Sequence, residues 1–226
     1  MILYDSLYEN LWEACGFTNI TPCVISVVGA GGKSHLIHHF SRILNQKHIS
    51  HFVTTTTHMW PMDTGSYGQL MGAVNSEGKV ESPDEKTWQD MFETGWPILI
   101  EADGSKGLPC KAPAEWEPVI REETTHVFGV LGMQCLGKSV ESICHRPEYV
   151  QKVLECSGDH VIQTSDLAKL FTDKKGLKKN VRSYHKYFAV LNQIDDMESF
   201  QTAYSIKSEI DEKEIENLFL LKLKED

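Results

Sequence analysis

The apolar pattern along the chain switches repeatedly between strand-like and helix-like periods. Residues 23–28 are apolar except for Ser26, as a strand buried on both faces should be. After a glycine-rich turn, Leu36, Ile37, Phe40, Ile43 and Leu44 recur at i, i+1, i+4, i+7 and i+8, which is one face of a helix. Residues 51–57 are rich in β-branched side chains and predict a second strand, whereas residues 61–72 predict a loop. Ser82, Pro83 and Glu85 combine an N-cap, a proline at the first helical position and a capping-box glutamate, predicting a helix with Trp88, Met91 and Phe92 as its buried stripe.

Further strands are predicted over residues 96–100, 126–131, 160–163, 187–191 and 218–223, and helices over 148–155, 166–171 and from Met197 through Phe200 and Tyr204. Residues 107–118 are proline-punctuated and predict irregular structure, with room for a short helix within 114–122. Leu3, Leu7, Leu11 and Trp12 fall at helical spacing and predict an N-terminal helix, within residues 1–20, packed on the domain. Strands alternating with helices predict an α/β fold with a mostly parallel sheet flanked by helices in three layers. Residues 1–226 read as a single domain, with 197–226 as a C-terminal elaboration.

Composition narrows the function more than the fold. At 226 residues and 41% hydrophobic content, the chain can fill one sizeable core. Its net charge of −10, from 22 basic and 32 acidic residues, argues against a nucleic-acid surface, which needs clustered Lys and Arg. The basic cluster at residues 174–179 reads as a solvated helix end. Asp5, Glu9 and Glu13 without any neighbouring Lys or Arg do not make the n-region of a secretion signal, and no apolar run is long enough to span a bilayer. Six cysteines without a CxxC pair predict reduced thiols and a cytoplasmic location.

The chemistry begins at Gly29-Ala30-Gly31-Gly32-Lys33-Ser34. A buried strand that turns through glycines into a helix aims several backbone N–H groups at one spot beside the positive end of the helix dipole, where a polyphosphate can sit. This makes the predicted fold P-loop NTPase-like, with Gly29, Ala30, Gly31, Gly32, Lys33, Ser34 and His35 as nucleotide-binding residues. Lys33 is expected to reach the outer phosphates and the Ser34 hydroxyl to ligate Mg²⁺. The usual motif carries a glycine where this chain has Val27, so the turn is tighter and is expected to offer fewer phosphate contacts.

Glu101-Ala102-Asp103-Gly104 ends a predicted central strand and places two carboxylates where strand ends meet a ligand crevice. Glu101 and Asp103 are therefore candidate Mg²⁺ ligands and catalytic residues with Lys33. Thr56 is a candidate metal or terminal-phosphate contact. Asn192-Gln193-Ile194-Asp195 resembles the Asn-Lys-x-Asp guanine-recognition motif, in which the aspartate accepts two hydrogen bonds from guanine; a helix cap is the alternative. His35 and His39 have metal-pair spacing but no evident third ligand. Cys135, Cys144, His145 and Glu148 lie near predicted loops, and sequence alone does not bring them together.

These stretches, with Thr54-Thr55-Thr56-Thr57-His58-Met59, the segment from Lys111 to Pro118, Gly129-Val130-Leu131-Gly132 and His145-Arg146-Pro147-Glu148, resemble the YqeC family over roughly residues 20–200. Its members are described as accessory proteins for selenium-dependent molybdenum hydroxylases, or as selenium cofactor biosynthesis proteins. The resemblance implies an accessory protein in maturation of such a hydroxylase, with that enzyme or its cofactor-maturation proteins as partner. The glycine turn adds binding and hydrolysis of a nucleoside triphosphate, GTP before ATP, with Mg²⁺. Thr57, His58, Lys111, His145, Arg146 and Glu148 are then candidates for a substrate or partner loop. Two other readings stay open: a small-molecule kinase or nucleotidyltransferase acting on a cofactor precursor, and a non-catalytic interaction module in which the glycine turn is only structural.

Overall fold

The computed structural model describes residues 11–17, 22–210 and 215–223. The strands are β1 (Val24–Gly29), β2 (His51–Thr55), β3 (His58–Met59), β4 (Gly68–Leu70), β5 (Val80–Glu81), β6 (Ile98–Glu101), β7 (Cys110–Lys111), β8 (His126–Gly132), β9 (Cys144–His145), β10 (Lys186–Asn192) and β11 (Asn217–Leu220). The helices are α1 (Leu11–Ala14), α2 (Lys33–Gln46), α3 (Glu85–Glu93), α4 (Val140–Ile143), α5 (Pro147–Leu154), α6 (Thr164–Thr172) and α7 (Met197–Glu209). Seven strands form one sheet in the order β11-β10-β8-β1-β6-β2-β4, and every pairing in it is parallel. From β1 the chain lays down β2 and β4 on one side, inserts β6 between β1 and β2, then crosses to β8, β10 and β11 on the other. The reversal falls beside β1, and an open parallel sheet takes its ligand at such a switch point, beyond the carboxyl ends of the strands.

Alternation along each central strand sends side chains to two separate cores. Ile25 and Val27 of β1, with Leu99, Phe128, Val130, Phe188 and Phe219, meet α1 and the Leu36, Ile37, Phe40, Ile43 and Leu44 face of α2. Val24 and Val28, with Ile98, Ile100, Val127 and Leu131, meet Trp88, Met91, Val150, Val153, Leu167, Leu170 and Phe171 on the opposite face. The result is the expected three-layer α/β arrangement of the P-loop kind. Among the described residues no helix is long and apolar enough to cross a membrane.

Several local expectations change. Leu3 and Leu7 lie outside the described residues; Leu11 and Trp12 are buried in the short helix α1. Residues 61–72 are not all loop, because β4 adds an edge strand to β2. Its glycine, glutamine and leucine carry no strand pattern, and its hydrogen bonds to β2 make it a strand. Helix α3 is capped by Asp84, whose carboxylate accepts from Thr87 N–H at 2.8 Å, and not by Ser82. Residues 114–122 hold no helix, and 160–163 contribute only a single bridge, Val161 to Ser139. In α7 the buried residues are Ala203 and Ile206, while Met197 and Tyr204 are exposed. Two small pairings were not anticipated: β3 with β5, and β7 with β9 in the register Cys110 to Cys144 and Lys111 to His145.

Candidate functional site at the carboxyl edge of the sheet

β1 ends in the glycine turn, and three of the turn's glycines occupy left-handed backbone: Gly29 (φ +101°), Gly31 (φ +77°) and Gly32 (φ +127°). Side chains on them would also collide with the protein. A Cβ on Gly31 would run into Gly132 N and Cα, and one on Gly32 into the Asn192 side chain. The turn is held on three sides. Gly29 N–H donates to both carboxylate oxygens of Asp103 (3.1 and 3.0 Å), Ala30 N–H to Val130 O (2.8 Å) and Gly31 N–H to Leu108 O (3.0 Å). Three successive amides are thus occupied by protein acceptors. The N–H groups at the start of α2, from Gly32 onward, are those that helical geometry leaves without an intrahelical partner.

Beside that helix start, the exposed Ser34 hydroxyl donates to Glu101 Oε2 at 2.7 Å. Glu101 is buried, and burial pushes its carboxyl above the ordinary carboxylate range, against the opposing pull of Lys33 and the Ser34 hydrogen bond. Lys33 is buried too. Its Nζ donates to Gly29 O (2.8 Å) and Ser105 Oγ (3.0 Å) and lies 3.4 Å from Asp103 Oδ1. The two carboxylates therefore have different surroundings. Asp103, fully buried, ties the turn to Lys33 and to Lys111 Nζ at 3.1 Å, while Glu101 stands against the exposed hydroxyl.

Lys111 continues the chain of charges. Fully buried, it also donates to Gly104 O (2.7 Å) and Glu117 Oε2 (2.9 Å), and Glu117 Oε2 lies 2.9 Å from Arg146 Nη1. The β7–β9 register sets His145 opposite Lys111, so Lys111, His145 and Arg146 come together from separate segments. Glu148 is exposed on the first turn of α5. Thr56 Oγ1 donates to Val119 O at 2.8 Å, Thr57 N–H is held by Thr55 Oγ1 at 3.0 Å, and exposed His58 lies 3.3 Å from Glu81. Asn192 braces the turn: its Nδ2 donates to Gly31 O (2.9 Å) and its Oδ1 accepts from Leu223 N–H (2.8 Å). Gln193 follows with left-handed backbone (φ +65°) and Asp195 is exposed.

Sequence reasoning missed Glu117, Ser105 and Cys110. Glu117 was legible only as part of a motif, and Ser105 only as the residue after Gly104. Within the β7–β9 pair, the Cys110 thiol is held protonated by the neighbouring Cys135 and Cys144 thiols and by burial. Among the described residues no group of three or more His, Cys, Asp or Glu side chains is placed to hold a metal ion by itself. A polar surface hollow lined by His38, Arg42, Asn45, Asp63 and Tyr67 flanks later turns of α2, apart from the glycine turn.

Comparison with known proteins follows the same residues. The family model described as YqeC protein matches residues 25–148, from β1 through the glycine turn and the Glu101–Asp103 strand end to His145, Arg146 and Glu148. The uncharacterized protein YqeC of Escherichia coli (strain K12) is 29% identical over 222 residues, covering 88% of this chain and 87% of that protein. No solved structure matches the chain. With more than half of its length, and the centre of the charged network, inside the matched span, this chain belongs to the YqeC family.

Proposed function

We propose that the protein binds a nucleoside triphosphate with Mg²⁺ at the glycine turn and hydrolyses it, acting in the cytoplasm as an accessory protein in the maturation of a selenium-dependent molybdenum hydroxylase. The observation that carries the nucleotide reading is the pairing of Ser34 Oγ with Glu101 Oε2 at 2.7 Å, at the mouth of a helix whose first residue is Lys33. A hydroxyl and a dry carboxylate so placed suit a hard cation that keeps most of its ligands as water and phosphate oxygens. Ser34 and Glu101 would hold Mg²⁺, which would neutralise phosphate charge. The α2 amides would face the phosphates, and Lys33 would exchange its contact with Ser105 for a phosphate oxygen. The hydroxylase role rests on the family's description. GTP is favoured over ATP on the strength of Asp195, an exposed carboxylate close in sequence to the Asn192 brace of the turn.

Calorimetric titration with GTP, ATP and CTP, each with and without Mg²⁺, tests this reading. Lys33→Ala is expected to weaken triphosphate binding by at least about tenfold, since a charge-assisted contact is worth about 1.5–3 kcal/mol. Asp195→Asn is expected to move preference from GTP toward xanthosine triphosphate, because an amide donates where the carboxylate only accepts. Unchanged triphosphate affinity in a folded Lys33→Ala protein would remove the nucleotide reading. Equal binding of all three nucleotides would remove the guanine preference alone.

A further inference from the structure

The charged network extends beyond what phosphate binding at the glycine turn requires. Lys33, Lys111 and Arg146 are three cations joined in one chain by only two carboxylates, Asp103 and Glu117. Glu101 stands at the other end of this chain of charges, against the Ser34 hydroxyl. Lys106, exposed at the tip of the turn after Asp103, adds a further cation close enough to act on His145. This excess of positive charge sits in a chain whose net charge is −10.

Three local features mark where the excess is aimed. His145 is buried, and burial together with Lys111 and Arg146 pushes its imidazole down to about 4, so it stands neutral among cations. Arg146, the residue before α5, has left-handed backbone (φ 54°) although a proline follows it, and a non-glycine residue held there costs free energy that its surroundings must offset. That backbone carries the guanidinium over the ring of Trp116, 5.0 Å from its centroid, and Trp116 is 63% exposed. Arg146 Nη1 lies 2.9 Å from Glu117 Oε2 but off the donor direction, so this buried N–H has no hydrogen-bond acceptor among the described residues. Arg146 is also the N-cap of α5, a helix start that favours negative charge and whose first turn already carries the exposed Glu148.

We propose that the ledge formed by β7 and β9, with Lys106, His145, Arg146 and Trp116, is a second anion site that takes the carboxylate or phosphate group of a small molecule. The site does not depend on the nucleotide reading. If that reading holds, the ledge is where a second, anionic substrate would sit, linked to the turn through Lys111 and Asp103. Arg146 and Lys106 would supply the charge, the neutral His145 a hydrogen bond, and Trp116 an exposed flat surface beside the ligand.

The test uses the full chain and reads the indole N–H resonance of Trp116, assigned with Trp116→Phe, together with the amide resonances of Gly31 and Gly32. Inorganic phosphate and citrate are titrated separately at constant ionic strength, with chloride as control. The Trp116 signal is expected to shift saturably with at least one of the two anions, and which one succeeds tells phosphoryl from carboxylate recognition. Arg146→Gln and the surface change Lys106→Glu should each weaken that binding by about tenfold, as loss of one charge-assisted contact does. Lys106→Glu keeps the test decisive if Arg146→Gln does not fold. A shift that does not saturate, that chloride reproduces, or that survives Lys106→Glu unchanged would overturn the proposal. Failure of the nucleotide reading looks different: GTP and ATP would leave Gly31 and Gly32 unmoved while the ledge still responds.

Discussion

At the scale of single residues, the two carboxylates at the end of β6 have separable duties. Asp103 is a buried anion shared by the Gly29 amide, Lys33 and Lys111, so removing its charge leaves two cations short of a partner in a dry site. Asp103→Asn is expected to lower stability by about 3 kcal/mol or more, visible as a lower urea midpoint. Glu101→Gln should leave the midpoint unchanged or raise it, because burial already disfavours the carboxylate. The same change should abolish any difference between nucleotide titrations with and without Mg²⁺. If the two substitutions behave alike in both assays, the division of labour is wrong. Sequence placed both carboxylates at a strand end but could not tell them apart, because Lys111 reaches Asp103 only after the chain has folded β7 back toward β9.

Among the elements, the stretches that could be read in the sequence are those whose pattern is local. β1, the turn and α2 form a continuous apolar run, a glycine cluster and a five-residue helical face, and each was expected close to where it lies. β4, β7 and β9 have two or three residues each, too few to display a period, and exist through pairing with distant partners. The cap of α3 was misplaced because Ser82 before Pro83 satisfies the same local rule that Asp84 fulfils in the structure. The glycine turn belongs to this scale as well, since its shape depends on what packs against it. Gly31→Ala must oppose both a left-handed backbone and the Gly132 and Pro109 backbone atoms, so a destabilisation of about 3 kcal/mol or more is expected by thermal or urea unfolding. Gly104→Ala, with nothing within 4 Å of the added Cβ, should unfold like the unaltered protein. Equal midpoints for both variants would mean that the turn yields more easily than its contacts indicate.

For the molecule as a whole, histidines that burial holds below their ordinary range make stability depend on pH on the acid side. Burial lowers His51 and His185, and together with nearby Lys or Arg charge it lowers His126 and His145 to about 4. For His126 and His145, between about pH 6.5 and 4 the unfolded chain therefore takes up protons that the folded chain refuses, and stability falls as pH falls, by up to about 1.4 kcal/mol per pH unit for each of the two; His51 and His185 act in the same direction. Urea midpoints measured from pH 7 to pH 5 should decline, and the decline should be shallower in His126→Gln. A slope identical in that variant would assign the acid sensitivity elsewhere. The three amides bound by Asp103, Val130 and Leu108 carry a different consequence, one of time scale. Exchange of Gly29, Ala30 and Gly31 with deuterated solvent requires release from separate segments, so these turn amides should exchange as slowly as those of β1 itself. A ligand arriving at this edge would then meet a surface already cast, and its rate of capture would reflect diffusion and charge rather than the time a loop needs to order.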